Sequence, residues 1–405
     1  MDSGAAAVLV DDGAWDRAEE AVRPQATLAT IGPAHDASER LGAEWAALAQ
    51  AASEPNVFAE GWFAGPGLRH LAAGEDVRML EVRRGGMLIG LLPLRPAPRY
   101  ARMPVRHAGN WQHYHSFLGT PLVRRGDERH FWSAALRALD AEPWAGAFLH
   151  VSGLVENGPV HRGLIEAASA LGRPCDTVLR CERALLVHGL TPQAYYEQAV
   201  RKKKRKELNR LHNRLAELGT LVHRTFAAGD DLDAWCDSFL ALERAGWKGE
   251  EGSALACDPR TEHFFRDAVR GAQAAGRLNF LRLDLDGRPL AMLVNFLAPP
   301  GSFSFKIAFD EEYARFSPGV LIQRDNLAIL EDRRIVWMDS CAVEDHSMIN
   351  SLWTDRRALV RVTVPLAGVR RRALFRLCRT LENLSAAARH RFAGRHPTIE
   401  QESND

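Results

Sequence analysis

No Cys-x-x-Cys pair occurs in the 405 residues. The six cysteines (Cys175, Cys181, Cys236, Cys257, Cys341 and Cys378) are scattered, which excludes a zinc knuckle or a dithiol redox motif and fits a reducing compartment. Long apolar runs are missing too: no stretch nears the roughly 20 residues of a membrane span. Nor is charge of one sign in excess. With 52 Lys and Arg against 51 Asp and Glu the net charge is +1, which argues against wholesale binding to a polyanion and leaves room for a local basic patch. Met1 to Trp15 holds Asp2, Asp11 and Asp12 and no basic segment ahead of an apolar one, so a signal peptide is not expected. The expectation is a cytoplasmic protein with no transmembrane segment and without nucleic acid as a partner.

What is present is the composition of a soluble globular chain, 46% apolar and 25% charged, and too long for one ordinary core. Met79–Arg83, a Gly85-Gly86 turn and Met87–Leu94 read as a β-hairpin; Leu278–Leu285, Asp286-Gly287 and Pro289–Phe296 read as another. At an offset of 201 they align without a gap, Leu80, Val82, Gly86, Ile89 and Leu92 falling on Leu281, Leu283, Gly287, Leu290 and Leu293. Each follows a helical segment that contains Trp, so an internal duplication is the simplest reading. The expected organisation is a loosely ordered extension (1–38), a first α/β half (39–190), a basic helical linker (191–224), a second half (225–368), and a basic helix with a polar tail (369–405). In the linker, Arg201 to Lys206 are six consecutive cations ahead of the amphipathic stripe Leu208, Leu211, Leu215 and Leu218. Such a run serves RNA or anionic lipid, or is a solvated helix face. No aromatic platform interleaves with it, so the solvated face is expected.

The most informative stretch is 303–322. Phe303, Phe305, Ile307 and Phe309 alternate with Ser304, Lys306 and Ala308, which predicts a strand with one packed and one polar face. A charged loop follows, then Ser317 as helix N-cap, Pro318 at the first helical position, and the apolar positions Val320 and Leu321. Strand, loop and helix N-terminus together suit a phosphate or pyrophosphate. Beyond the helix, Arg334–Cys341 reads as a short strand with Asp339 near its end, and Ser347–Leu352 as a short helix.

This order of elements, with the Asp-Gly hairpin, the strand ending in Phe309-Asp310, the Tyr313–Gly319 segment and the strand ending at Asp339, resembles the CelD-like acetyltransferase domain of the GNAT superfamily, a branch related to the FemAB-type transferases. The resemblance implies tandem GNAT-like halves, each a mixed, mostly antiparallel sheet flanked by helices. It also implies acetyl-CoA or another acyl-CoA as co-substrate, its pyrophosphate at Arg315, Phe316, Ser317, Gly319 and Val320, and Lys306 nearby. The loop is poorer in glycine than the usual GNAT pattern, and the Tyr-Lys pair common after the last Asp is absent.

Acyl transfer to an amine needs a proton acceptor, a polarised carbonyl and neutralisation of the leaving thiolate. The candidates for the base, in order, are Asp339, His346 and Asp345. On the acceptor side the candidates are Trp247-Lys248, and Asn110, Trp111, His113 and His115, the two histidines being placed on one strand face. Two histidines without a third ligand do not make a metal site, so no metal is expected. The expected activity is an acyl-CoA-dependent N-acyltransferase acting on a small-molecule or polysaccharide/peptide-precursor amine. The alternatives are a FemAB-like peptidyltransferase with aminoacyl-tRNA as donor and the basic helix as its contact, or a non-catalytic GNAT-fold binding module.

Overall fold

The computed structural model of the chain describes residues 26–393, with side chains described to Ser385. The first half contains β1 (Thr27–Pro33), α1 (Ala37–Ala51), α2 (Gly61–Leu71), β2 (Arg78–Arg84), β3 (Met87–Ala97), β4 (His107–Asn110), β5 (Leu122–Val123), α3 (Glu128–Ala141), β6 (Phe148–Val155), α4 (Pro159–Ala170) and β7 (Asp176–Val187). Two helices, α5 (Pro192–Ala199) and α6 (Lys202–Ala216), lead to the second half. It contains β8 (Leu221–Thr225), α7 (Leu232–Ala245), α8 (Trp247–Glu250), α9 (Pro259–Ala274), β9 (Leu278–Leu285), β10 (Arg288–Ala298), β11 (Gly301–Phe309), α10 (Pro318–Asp325), β12 (Trp337–Asp339), α11 (Ser347–Asn350) and β13 (Asp355–Pro365), and α12 (Val369–Ala393) follows.

The strands form a single sheet in the order β1-β2-β3-β4-β6-β13-β7-β12-β11-β10-β9-β8, with β5 paired to β3 beside that path. Read from its two edges inward, the order is the same twice. Each half has one parallel pair, β4 with β6 and β11 with β12, among antiparallel neighbours. At the centre the halves exchange strands. β7 leaves the first half to pair with β12, and β13 leaves the second to pair with β6; the two then pair with each other, antiparallel. On the face above, the equivalent helices α2 and α9 pack together, close enough that a Cβ on Gly271 would lie 3.0 Å from Trp62. Neither half can leave the other without breaking three strand pairings. This is the mixed α/β, two-half fold class expected.

The hairpin repeat is reproduced to the residue. Val82 pairs with Gly90 as Leu283 pairs with Ala291, Leu80 with Leu92 as Leu281 with Leu293, and both ladders shift register at the same place, around Ile89 and Leu290. Gly86 and Gly287 take the left-handed conformation (φ +83° and +81°) that such tight turns need.

Four readings are corrected. Within the extension expected to be loosely ordered, Thr27–Pro33 is strand β1, pairing along all seven residues with β2; residues 1–25 lie outside the described residues. The strand expected over 334–341 is only Trp337–Asp339. Residues 111–115 form a loop, so His113 and His115 share no strand face. The alternation in β11 is broken by a bulge: Val294 pairs with Lys306 and Asn295 with Ser304, skipping Phe305. Phe303, Phe305 and Ala308 therefore pack with the α7 and α9 core, whereas Ile307 and Phe309 pack beneath α10. Ser304 and Lys306 end on opposite sides of the strand: Gln323 of α10 donates to the Ser304 hydroxyl (3.4 Å), and Lys306 lies 3.9 Å from Glu243 of α7.

Candidate active site

Parallel neighbours that pair briefly and then diverge leave a gap with unpaired backbone edges, and this chain has two such gaps. In the first half, β4 and β6 pair only at Ala108–Leu149 and Gly109–His150. Beyond that point the chain fills its own gap. Asn110 donates to the carbonyls of Gly119 (3.2 Å) and Ser152 (3.0 Å) and accepts from the Ser152 N–H (2.9 Å). The Gly119 N–H donates to the Gly153 carbonyl (3.0 Å), and the Gln112 amide, once turned over to match its neighbours, can donate to the Ser152 carbonyl and accept from the Gly119 N–H. A Cβ on Gly119 would lie 2.0 Å from the Ser152 oxygen, so glycine is required for this close approach.

In the second half, β11 and β12 pair from Gly301–Trp337 to Phe303–Asp339 and then diverge, helped by the bulge at Phe305. The next residue is Ser304, in the place that Asn110 holds in the first half. Its short side chain turns to Gln323 and bridges nothing. This gap opens into a cavity of about 700 Å³ between the halves. Ser304, Lys306, Cys341 and His346 line it from the second half, Gln112 and Tyr114 from the first, and the exchanged strands β7 and β13 contribute Arg183 and Arg361.

The cavity wall is charged by a cluster built on α7. Trp235, Phe239 and Glu243 recur every fourth residue, so they share one buried face of that helix. Glu243 is almost fully buried. It accepts from Lys248 (2.9 Å) and from the Leu255 N–H (2.9 Å), and Lys306 stands 3.9 Å away. Two lysines thus share one carboxylate. Lys306, its side chain 9% exposed, has no hydrogen-bond partner among the described residues. Burial pushes its pKa down, Glu243 opposes and Lys248 adds to the fall, leaving it at about 8.

The candidate bases are placed differently from expectation. Asp339 does not face the cavity: it is wholly buried, held by Arg183 (2.6 Å) and Arg357 (2.9 Å), and accepts from the Cys341 N–H (2.9 Å). Burial alone would raise its carboxyl, but the two guanidinium charges outweigh that and hold it below the usual range. It clamps β12, β7 and β13 together. Asp345 is exposed and does not line the cavity. His346 does line it. Its Nδ1 caps α11 by accepting from the Ile349 N–H (3.5 Å), so in the neutral ring Nε2 carries the proton and is a donor.

Of the acceptor-side candidates, Trp247 and Lys248 line the cavity. Asn110, Trp111, His113 and His115 do not; their neighbours Gln112, Tyr114 and Ser116 do. Asn110 is held in the closed gap and Trp111 donates to Glu75 (3.0 Å). His113 and His115 pack on Phe264, with ring centroids 4.8 and 5.6 Å away. Burial pushes their pKa values down to about 3 and about 2, so both are neutral core residues. Of the expected pyrophosphate residues, Arg315 is exposed over the Phe316 ring, Phe316 and Gly319 are buried, Val320 is half-buried, and none lines the cavity. Ser317 adopts a left-handed conformation (φ +54°) and its side chain caps nothing. The loop lies beyond the cavity in the direction in which β11 runs, and Gln323, just over one turn into α10, is where that helix meets it.

Among the described residues no group of three His, Cys, Asp or Glu side chains is placed to hold a metal, and no helix is long and apolar enough to cross a membrane. Glu243, Arg183, Arg357 and Gln323 were missed from the sequence. The carboxylate of Glu243 on the apolar face of α7 was the one available signal.

No curated protein matches the sequence. The crystal structure of FemX is similar at 11% identity, over 83% of this chain and 97% of that one, with a TM-score of 0.54. A conserved protein of unknown function from Bacteroides thetaiotaomicron is similar at 12% identity, over 80% and 97%, with a TM-score of 0.51. The Acetyltransferase (GNAT) domain family matches residues 202–344, a span that contains β11, β12, Glu243, Lys248 and Lys306. Residues 202–344, about a third of the chain, are therefore similar to the Acetyltransferase (GNAT) domain family, within a fold shared along most of the chain's length with FemX.

Proposed function

We propose that the chain is an acyl-CoA-dependent N-acyltransferase, with acetyl-CoA as the simplest donor, whose acyl transfer takes place at the open gap between β11 and β12. The observation that carries this reading is the contrast between the two gaps, one filled by Asn110, Gln112 and Gly119, the other open onto the cavity. The residues present fit such a donor: the edge of β11 past Phe303 has no strand partner on its β12 side, and the α10 N-terminus lies at the far end of that edge. The donor would supply the thioester carbonyl.

The chain's own groups supply the rest. Neutral Lys306, with a pKa near the working pH, takes the proton from the acceptor amine at Nζ. Backbone N–H groups of the β11 edge polarise the carbonyl. Nε2–H of His346, on the same cavity, donates a hydrogen bond to the departing thiolate, and the proton taken up by Lys306 balances the charge that leaves on sulfur. The acceptor enters from the side of Tyr114 and Trp247. It is an amine of a small molecule or of a polysaccharide or peptide precursor.

A second reading, with aminoacyl-tRNA as donor, is favoured by one observation. The six cations Arg201 to Lys206 crowd the start of α6, where the helix dipole disfavours them, and the one ion pair they make among the described residues is Lys204 to Glu207 (3.5 Å). The test compares the donors. Acetyl-CoA at saturating concentration should raise the melting temperature, because a ligand of the native state stabilises it, and turnover should survive Lys203→Ala with Lys204→Ala. Absence of any shift, together with micromolar tRNA binding that the double substitution removes in a gel shift, would replace the first reading by the second.

A further inference from the structure

α12 shows two faces of different use. Phe375 and Cys378 are buried against Tyr100 and Phe148, and Arg371 donates to the carbonyls of Asp140 and Glu142, which fixes that side to the first half. The other side carries Leu374, Leu377, Leu381 and Leu384, spaced three, four and three, each 41–62% exposed. A repeat of this spacing places the four side chains in one stripe along the helix. Arg370, Arg372 and Arg376 are exposed on the same helix and make no ion pair or hydrogen bond among the described residues. From Val369 to Arg395 the sequence has eight arginines and one acid, Glu382.

Two occupants fit poorly. A second copy would bring the same arginines against themselves. The stripe also exposes only on the order of 400 Å² of leucine surface, about half of what each partner of a stable dimer buries. Nucleic acid would neutralise the arginines and leave the leucines in water. An anionic bilayer surface satisfies both: leucines enter the boundary between headgroups and acyl chains, Arg370, in line with the stripe, meets lipid phosphates, and Arg372 and Arg376, on the far side of the helix, add attraction at longer range. We infer that α12 is a peripheral membrane-binding helix that docks this chain, leucine stripe down, on anionic lipid. This is independent of the acyl-transfer reading.

The test is co-sedimentation of the full chain with vesicles of phosphatidylcholine alone and of phosphatidylcholine with an equal part of phosphatidylglycerol, at 0.1 and 0.5 M salt. Binding is expected to the anionic vesicles only and to weaken at high salt. Arg370→Gln with Arg372→Gln and Arg376→Gln should lower the partition coefficient about tenfold, from about fivefold for Arg370 in line with the stripe and about twofold from the two more distant arginines together. Leu377→Gln with Leu381→Gln, both at exposed positions, should lower it by about tenfold or more at an unchanged melting temperature. No binding to anionic vesicles at 0.1 M salt, or equal binding by either variant, overturns the inference. So does a dimer in sedimentation velocity that the leucine variant converts to monomer, which would assign the stripe to a second copy.

Discussion

Lys306→Met should stabilise the protein while disabling it. The ammonium of Lys306 is held in a nearly closed wall, 3.9 Å from a carboxylate that already serves Lys248. Burial lowers its pKa from 10.5 to about 8. A folded pKa below the unfolded one means that the unfolded chain binds more protons between these values, so wild-type stability rises as pH rises through that window. Below pH 8 the full charge term is present, about 3 kcal/mol at pH 7 from roughly 1.4 kcal/mol per pH unit. The same relation leaves about 2 kcal/mol at pH 9 and under about 1 kcal/mol at pH 10. Methionine has similar length and no charge, so its advantage in urea unfolding should follow that fall. Turnover should drop by about a hundredfold or more if Lys306 takes the proton, and wild-type kcat/KM should rise with pH through about 8. A methionine variant that is less stable at pH 7, or whose advantage does not change with pH, would refute the assignment of an underpaired buried cation.

Asp339→Asn leaves Arg183 and Arg357 buried without their counter-charge and should cost about 3–5 kcal/mol in urea unfolding; a stable variant that has lost only turnover would restore Asp339 as a base. The carboxyl is held low, so its contribution should be fully present above the ordinary carboxylate range and be lost only as pH falls below it. His113, His115 and His150 have pKa values pushed down to about 3, 2 and 4, so the unfolded chain protonates first and stability should fall as pH drops below 6.5. His115→Phe should flatten that slope between pH 6 and 4 by about 1.4 kcal/mol per pH unit, read as melting temperature against pH. Gly119→Ala should lower stability by about 1–3 kcal/mol, because its Cβ meets the Ser152 oxygen at 2.0 Å.

Periodicity and turn chemistry made the hairpins legible, since Gly86, Asp286 and Gly287 announce the turns and the apolar positions fix the register. They could not reveal that β7 and β13 change places, because strand exchange alters partners without altering the pattern within either strand. The strand over 303–309 was legible from its alternation. The side-chain directions around it were not: one bulge at Phe305 turned Ser304 and Lys306 to opposite faces, and in the 110–116 loop the residues that line the cavity are the alternate set. Asp339 looked like a free strand-end carboxylate because Arg183 and Arg357 are 156 and 18 residues away. Such distant pairings leave no local trace. Glu243 left one, a carboxylate in register with Trp235 and Phe239.

The most direct test of one open gap and one closed gap is the stoichiometry of donor binding, measured by titration calorimetry of the full chain with acetyl-CoA. One molecule per chain is expected, bound on the second-half side. Two per chain would show that Asn110 and Gln112 do not close the first gap, and none would show that the open gap does not take an acyl-CoA donor.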